Sequence, residues 1–579
     1  MSYIRFLVAG VGVLLLLQGL PADAKENVGE EERTQKREKQ QLAAGCEPPS
    51  AAVFLDVNNV RARIMNGGDM WWDLTSNARY IIPNRSEPPF NTSLFAGSLW
   101  IGGFDNGGNL REAAMTYRQQ QSYDYWPGPL DTTDASVSNE VCNNWDKIWK
   151  VNRDDIEAIE EGETENIPDD IKNWPSRGDV TNGQSRYLAP FKDNDNDGIY
   201  NPERGDVPDI PGDQALWYVY NDKGNIHSET QAPAIGMEIQ TTAFAFSTND
   251  QVNNQTFYRH KLINRSGSTL DSVFFGQWVD PDLGFAFDDY VACDTSRDLG
   301  ICYNGDNFDE GSQGYGQNPP SVGVDFFEGP ITQDGEQLGM EYFVYYNNDF
   351  SQSGNPSEAQ HYYNYLTGTW KDGQPITERE NGRNQSNPET RYMFPGDPAE
   401  QEGWTEGTAG NEPGDRRFLQ SSGPFTLEPG AVNTVTVGVV WAKATSGGNI
   451  GSLDLLRLAD DRAQQLYNND FDILDGPPSP TVKTQELDGK VIVSLKETQE
   501  TENYFDRALG EQRTDTIEYQ FEGYKLIQLE NPDVSPSQFD NEELARQVRQ
   551  VDVENQISQL VNQAFVADVN EFQSSLEVQ

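Results

Sequence analysis

Four stretches between Ala215 and Asp280, ALWYVYND, GMEIQTTAFAFST, QTFYRHKLINRS and SVFFGQWVD, follow one another with turns rich in Asn, Asp and Gly between them. Each interleaves aromatic or β-branched residues with polar ones, the period-two signature of a strand with one buried face. Strands that succeed each other through turns pair antiparallel, which favours a sandwich over βαβ units. The 27 Phe, 24 Tyr and 12 Trp supply the core such sheets need, and 52 Gly and 32 Pro supply the turns. A mean hydropathy of -0.71 would suit a disordered acidic chain, but such chains lack aromatics.

Elsewhere the same pattern recurs. Ser93 to Tyr117, SLFAGSLWIGGFDNGGNLREAAMTY, reads as a hairpin whose turn is Asp105-Asn106-Gly107-Gly108. VNTVTVGVVWA, Val432 to Ala442, is another strong strand. Asp154 to Asp170 is acidic and aperiodic, a short helix and a surface loop, and Asp349 to Gly414 reads as long loops. One amphipathic helix is expected in LDLLRLADDRAQQLY, where Leu453, Leu456, Ala459, Ala463, Leu466 and Tyr467 share a face. GPPSP, Gly476 to Pro480, marks a boundary, and beyond it KVIVSL and FEGYKLIQ resemble strands of a fibronectin type III-like sandwich. The tail EELARQVRQVDVENQISQLV departs from that pattern. The expected organisation is an export signal (1–24), a charged spacer (25–50), an N-terminal β domain (51–190), a central β-sandwich with acidic loops (191–475) and the fibronectin type III-like module (476–579). The fold class is mainly β.

Residues 1–24 have the marks of an export signal: Arg5, the apolar run Phe6 to Leu20, and the small-x-small site Ala22-Asp23-Ala24. No later segment is apolar for long enough to span a bilayer as a helix. Leu42 to Cys46 has the letters of a lipoprotein box but follows a charged stretch. The mature chain is expected to be secreted or held at the cell surface. Against 93 acidic residues stand 42 basic ones, a net charge of -51. Nucleic acid is thereby excluded as a partner, because phosphate binding needs clustered Lys and Arg. Surface, matrix or polysaccharide components are the partners left, and divalent cations suit the charge. Four cysteines allow three pairings; Cys293–Cys302 and Cys46–Cys142 are the expected one.

The most specific stretch is FKDNDNDGIYNPERGD, Phe191 to Asp206. Asp193, Asp195 and Asp197 alternate, and Gly198 follows. Two carboxylates about 5 Å apart repel by roughly 3 kcal/mol at an effective dielectric of about 20, so a folded loop here needs a cation. Aspartates at loop positions 1, 3 and 5, a glycine at 6 and the Ile199 carbonyl at 7 match the first half of an EF-hand loop. Arg204 occupies position 12, where an EF-hand has glutamate. Glu203 or Asp206 would complete the shell instead, as in the thrombospondin type 3-like calcium loops that this stretch resembles. All-oxygen donors favour Ca²⁺. A second acidic group, Asp280, Asp282, Asp288, Asp289 and Asp294, surrounds the expected Cys293–Cys302 staple and is a second candidate calcium site.

Catalytic signatures are thin. The three histidines, His227, His260 and His361, show no paired metal spacing, and neither a GxSxG elbow nor a Walker loop occurs. His260 lies in an expected strand and reads as structural. Carboxylate pairs could cleave glycosides, and Tyr123-Asp124-Tyr125-Trp126 could stack on sugars, but so acidic and aromatic a chain offers such pairs everywhere. Taken together, VFLDVNNVRARIMNGGDMWW, LFAGSLWIGG, WPGPL, DNDNDGIYNPERGD, WVDPDLG, DDYVACD, YNGD and YQFEGYKLIQ resemble secreted or surface proteins of gliding-type bacteria, many of them type IX secretion cargo. The resemblance implies a multidomain surface or released β protein, in a group whose members usually continue into a C-terminal sorting domain. The expected function is structural or adhesive, calcium-stabilised and without catalysis. The alternative is a glycan-binding or glycan-hydrolysing protein.

Overall fold

The structure, a computed structural model, describes residues 45–118 and 122–471 and, between 480 and 578, eight strands with a few adjoining residues. The expected export signal and most of the spacer lie outside the described residues. Strand accounts for 37% and helix for 14%, so the chain is mainly β.

Two large antiparallel sheets form the body. The first runs, in spatial order, Tyr342–Tyr346, Arg417–Leu427, Leu270–Asp280, Ala96–Phe104, Asp69–Met70, Arg61–Met65, Tyr80–Ile81 and Thr92–Leu94. The second runs Asp289–Asp294, Leu299–Asn304, Ser321–Glu328, Val432–Ala442, Thr256–Asn264, Met237–Ala245, Gln214–Asn221 and Trp126–Pro127. Both sheets draw strands from either side of residue 190. The boundary expected there divides the sequence but not the sheets, because strands far apart in the chain share ladders.

The core between the sheets joins Trp100, Trp278 and Phe275 of the first to Tyr218, Tyr258 and Val437 of the second. A second core covers the outer face of the second sheet. There Leu453, Leu456, Ala459, Ala463 and Leu466 of the Gly448–Asn468 helix pack with Trp149, Ile156 and Ile171 from the 149–174 segment. The helix face is therefore the one its spacing predicts. Strands of the second sheet are buried on both sides: along Gln214–Asn221, Leu216, Tyr218 and Tyr220 face the inner core, whereas Ala215, Trp217 and Val219 face the outer one. That explains the near-continuous apolar letters of ALWYVY, where one-sided burial would have shown alternation.

The predicted hairpin also forms. Ala96–Phe104 pairs with Leu110–Ala113, and the Asp105 carboxylate accepts the Gly107 and Asn109 amides across the turn. The 349–414 stretch departs from expectation, because Ala359–Leu366 is a helix burying Tyr362, Tyr363, Tyr365 and Leu366.

Cys46 and Cys142 are disulfide-bonded beside Trp126, so Cys46 has no thiol to carry a lipid. The Cys293–Cys302 staple does not form, and both thiols are free and buried. Register is the reason. Cys293 stands opposite Gly300 and Cys302 opposite Val291, which makes the two diagonal neighbours. Diagonal residues are about 7–8 Å apart, beyond the ~6.8 Å that a disulfide spans. Burial pushes both thiols well above their usual range, so they are inert.

The C-terminal strands pair as four hairpins: Thr481–Leu487 with Lys490–Lys496, Phe505–Leu509 with Thr516–Gln520, Gly523–Leu529 with Ala545–Asp552, and Gln559–Val566 with Glu571–Val578. These pairings do not show a fibronectin type III-like sandwich. Among the described residues no helix is long and apolar enough to cross a membrane.

Candidate metal centre

The aspartate loop hangs from a two-rung ladder, Phe191 opposite Pro208 and Lys192 opposite Val207. Asp206, fully buried, clamps it. One of its oxygens accepts the Asn194 amide at 2.9 Å and the other the Asn201 amide at 2.8 Å. Within the clamp the chain makes successive Asx turns. The Asp197 amide donates to Asp195 Oδ1 at 3.1 Å, the Ile199 amide to Asp197 Oδ1 at 2.7 Å, and the Gly198 amide to Asp193 Oδ2 at 2.8 Å. Gly198 has φ +74, a left-handed position that a Cβ would strain. As a result, one oxygen from each of Asp193, Asp195 and Asp197 lies within 4.8 Å of the others. Asp193 Oδ1 is buried and receives no hydrogen bond.

Arg204 plays a part that its position alone did not reveal. The Pro202–Arg204 turn, capped by Asn201, sets its guanidinium 3.0 Å from Asp195 and 3.2 Å from Asp197. With 61% of that side chain exposed, each such pair contributes only about 0–1 kcal/mol. One positive charge against three negative ones leaves the loop anionic. Glu203 is exposed and is not among the convergent carboxylates, and both Asp206 oxygens are already taken by amides. Neither residue belongs to the convergent set of three.

The second acidic group divides. Asp280 and Asp282 converge with Asp415, and again the oxygens lie within 4.8 Å of one another. Asp280 ends one strand, and Asp415 lies just before the neighbouring strand Arg417–Leu427, so sheet pairing unites residues far apart in sequence. Asp280 is buried. Its Oδ2 accepts Tyr117 Oη at 2.6 Å and the Arg417 guanidinium at 3.2 Å, while Oδ1 has no donor. Arg417 also pairs with Asp415. Burial, then the charges of Asp280 and Asp415, push the Asp282 carboxyl well above its usual range.

Asp288 ends the following turn and Asp289 opens the next strand, where the Leu283 amide reaches Asp289 Oδ2 at 3.1 Å and both Oδ1 atoms are buried without donors. Burial raises Asp289 strongly and Asp288 to about 7. Asp294, at the far end of the same strand about 17 Å along, instead pairs with Arg297 at 3.0 Å. Asp415 is the residue that sequence reasoning missed. Its only signal is the Asp-Arg-Arg run just before a strand.

The remaining candidates are structural. His260 is buried and bonded to Thr241 at 2.9 Å, and burial lowers its pKa to about 3. His227 sits between the carbonyls of Glu112, at 2.8 Å, and Asp222, at 2.5 Å. Tyr125 and Trp126 are buried, so their run cannot offer open ring faces to a sugar. A separate cleft of about 590 Å³ is lined by Tyr345, Trp370, Arg383, Arg416 and four asparagines, Asn347, Asn381, Asn384 and Asn411. Glu406 grips Arg416 at 3.1 and 3.0 Å.

Fold and clusters together define a class: an antiparallel β-sandwich protein carrying two acidic groups that can hold a metal ion. Compared with known proteins, the chain matches no family model and no curated protein.

Proposed function

We propose that this is a secreted or cell-surface structural or adhesive protein, without catalytic activity, whose Asp193–Asp197 loop is locked by Ca²⁺. The observation that carries the reading is the convergence of one oxygen from each of Asp193, Asp195 and Asp197, in a loop where Asp193 also holds a buried oxygen that no donor reaches. The donors that converge are all carboxylate oxygens, a hard set of the kind Ca²⁺ takes. A disulfide fits an oxidising compartment, as does the export signal read in residues 1–24. The stretches that resemble surface proteins of gliding-type bacteria support the same location.

The test is a thermal melt of the whole protein with calcium or chelator, alongside Asp193→Asn. Binding to the folded state alone raises Tm, by linkage. Calcium is expected to raise the wild-type Tm and to do so less in the variant. Identical melts with calcium and chelator would overturn the reading. Attachment to cells or polysaccharide surfaces is expected to require calcium.

A second reading, glycan recognition, is favoured by the cleft, where Arg383 and four side-chain amides offer the polar contacts a sugar uses. A glycan array and a reducing-sugar assay decide it. Binding that disappears on Arg383→Ala would support this reading, and turnover would make the protein a hydrolase.

A further inference from the structure

We propose that Asp280, Asp282 and Asp415 form a second, independent divalent-cation site that ties the end of the Leu270–Asp280 strand to the start of the Arg417–Leu427 strand. Convergence of acidic residues alone would not carry this, since solvated acidic groups repel and turn outward. Here the central member cannot turn outward. Asp280 is 1% exposed, and its Oδ2 is fixed by Tyr117 and Arg417. Its Oδ1 is buried without a donor, although a carboxylate oxygen in that environment requires a partner. Asp282 and Asp415 each bring an oxygen within 4.8 Å of this carboxylate.

Charge points the same way. Arg417 is the guanidinium bound to the group, and it divides its donors among Asp280, Asp415 and the Tyr117 hydroxyl. Once all three carboxyls are ionised, the single guanidinium leaves an excess of two negative charges, which a divalent ion cancels. The donors are all oxygen, which selects a hard cation of the calcium type over zinc. The site does not depend on the Asp193 loop, because the two share no residue.

Calorimetric titration of the full chain with calcium chloride tests this, with terbium luminescence as a second readout. Tyr117 donates to Asp280 directly, and its ring packs 5.1 Å from Trp278, so terbium held here is excited through these aromatics. Wild type is expected to take up two ions. Asp193→Asn/Asp195→Asn should retain one ion and its sensitised emission, and Asp415→Asn should lose that ion while keeping the loop's.

Near-ultraviolet circular dichroism verifies that each variant is folded. If the folded loop variant binds no calcium, the second site does not exist, whereas wild type binding a single ion that the loop variant loses would leave the loop reading intact. An Asp415→Asn protein that still binds two ions also overturns the proposal. No uptake by wild type would refute both readings together.

Discussion

Asp325 and Asp460 offer a sharp test of how burial sets charge in this protein. Asp325 lies on the Ser321–Glu328 strand and Asp460 on the helix packed against it, each 1% exposed. Neither Asp325 oxygen has a donor of the ordinary kind, nor does Asp460 Oδ1, so the two carboxyls must share a proton. Burial first, then neighbouring aspartates, hold both well above the usual carboxylate range. Unfolded, both ionise near pH 4. Above that pH the folded protein keeps a proton that the unfolded chain has released. Stability therefore falls as pH rises, by about 1.4 kcal/mol per unit for the retained proton, until the folded pKa is passed. The contribution is complete at and below pH 4 and declines above it. Asp325→Asn preserves the shape, donates to Asp460 and removes the retained proton. As pH rises from 5 to 8 the variant should therefore lose less stability than wild type. Urea unfolding at pH 5 and pH 8, followed by tryptophan fluorescence, measures this. Buried acids elsewhere, such as Glu112, affect both proteins alike and cancel in the comparison. A difference between variant and wild type that is the same at both pH values would refute the reasoning.

Other expectations follow from the same geometry. Arg204→Gln removes the guanidinium that competes for Asp195 and Asp197, so calcium affinity at the loop should rise about fivefold, on the order of 1 kcal/mol, by calorimetry. Asp206→Ala should weaken calcium binding, because two amides that hold the loop lose their acceptor, at a cost of about 1–3 kcal/mol. Unchanged affinity would show that the loop shapes itself. Reduction of Cys46–Cys142, which encloses a sequence separation of 96, should cost about 4–5 kcal/mol, while thiol titration should find Cys293 and Cys302 reactive only after unfolding. His227→Gln leaves one of two buried carbonyls without its ring-nitrogen partner and should lower Tm by about 1–3 °C without altering calcium uptake.

Much of the protein was legible because it is local. Strand identity follows from side chains two apart, the Gly448–Asn468 helix from apolar residues three and four apart, and the Asp105 turn from residues that accept positive φ. The loop's three carboxylates converge through bonds that mostly span two to five residues, so DNDNDG alone could announce them. What sequence could not show depends on register and on which strands become neighbours. A diagonal offset keeps Cys293 from Cys302, and only the second core shows why the ALWYVY run is buried on both faces. Pairing of the Leu270–Asp280 strand with Arg417–Leu427 brings Asp415 to Asp280, and packing of a helix on a sheet sets Asp460 against Asp325. Short-range geometry is written in covalent spacing, whereas long-range proximity exists only once the sheets have ordered their strands.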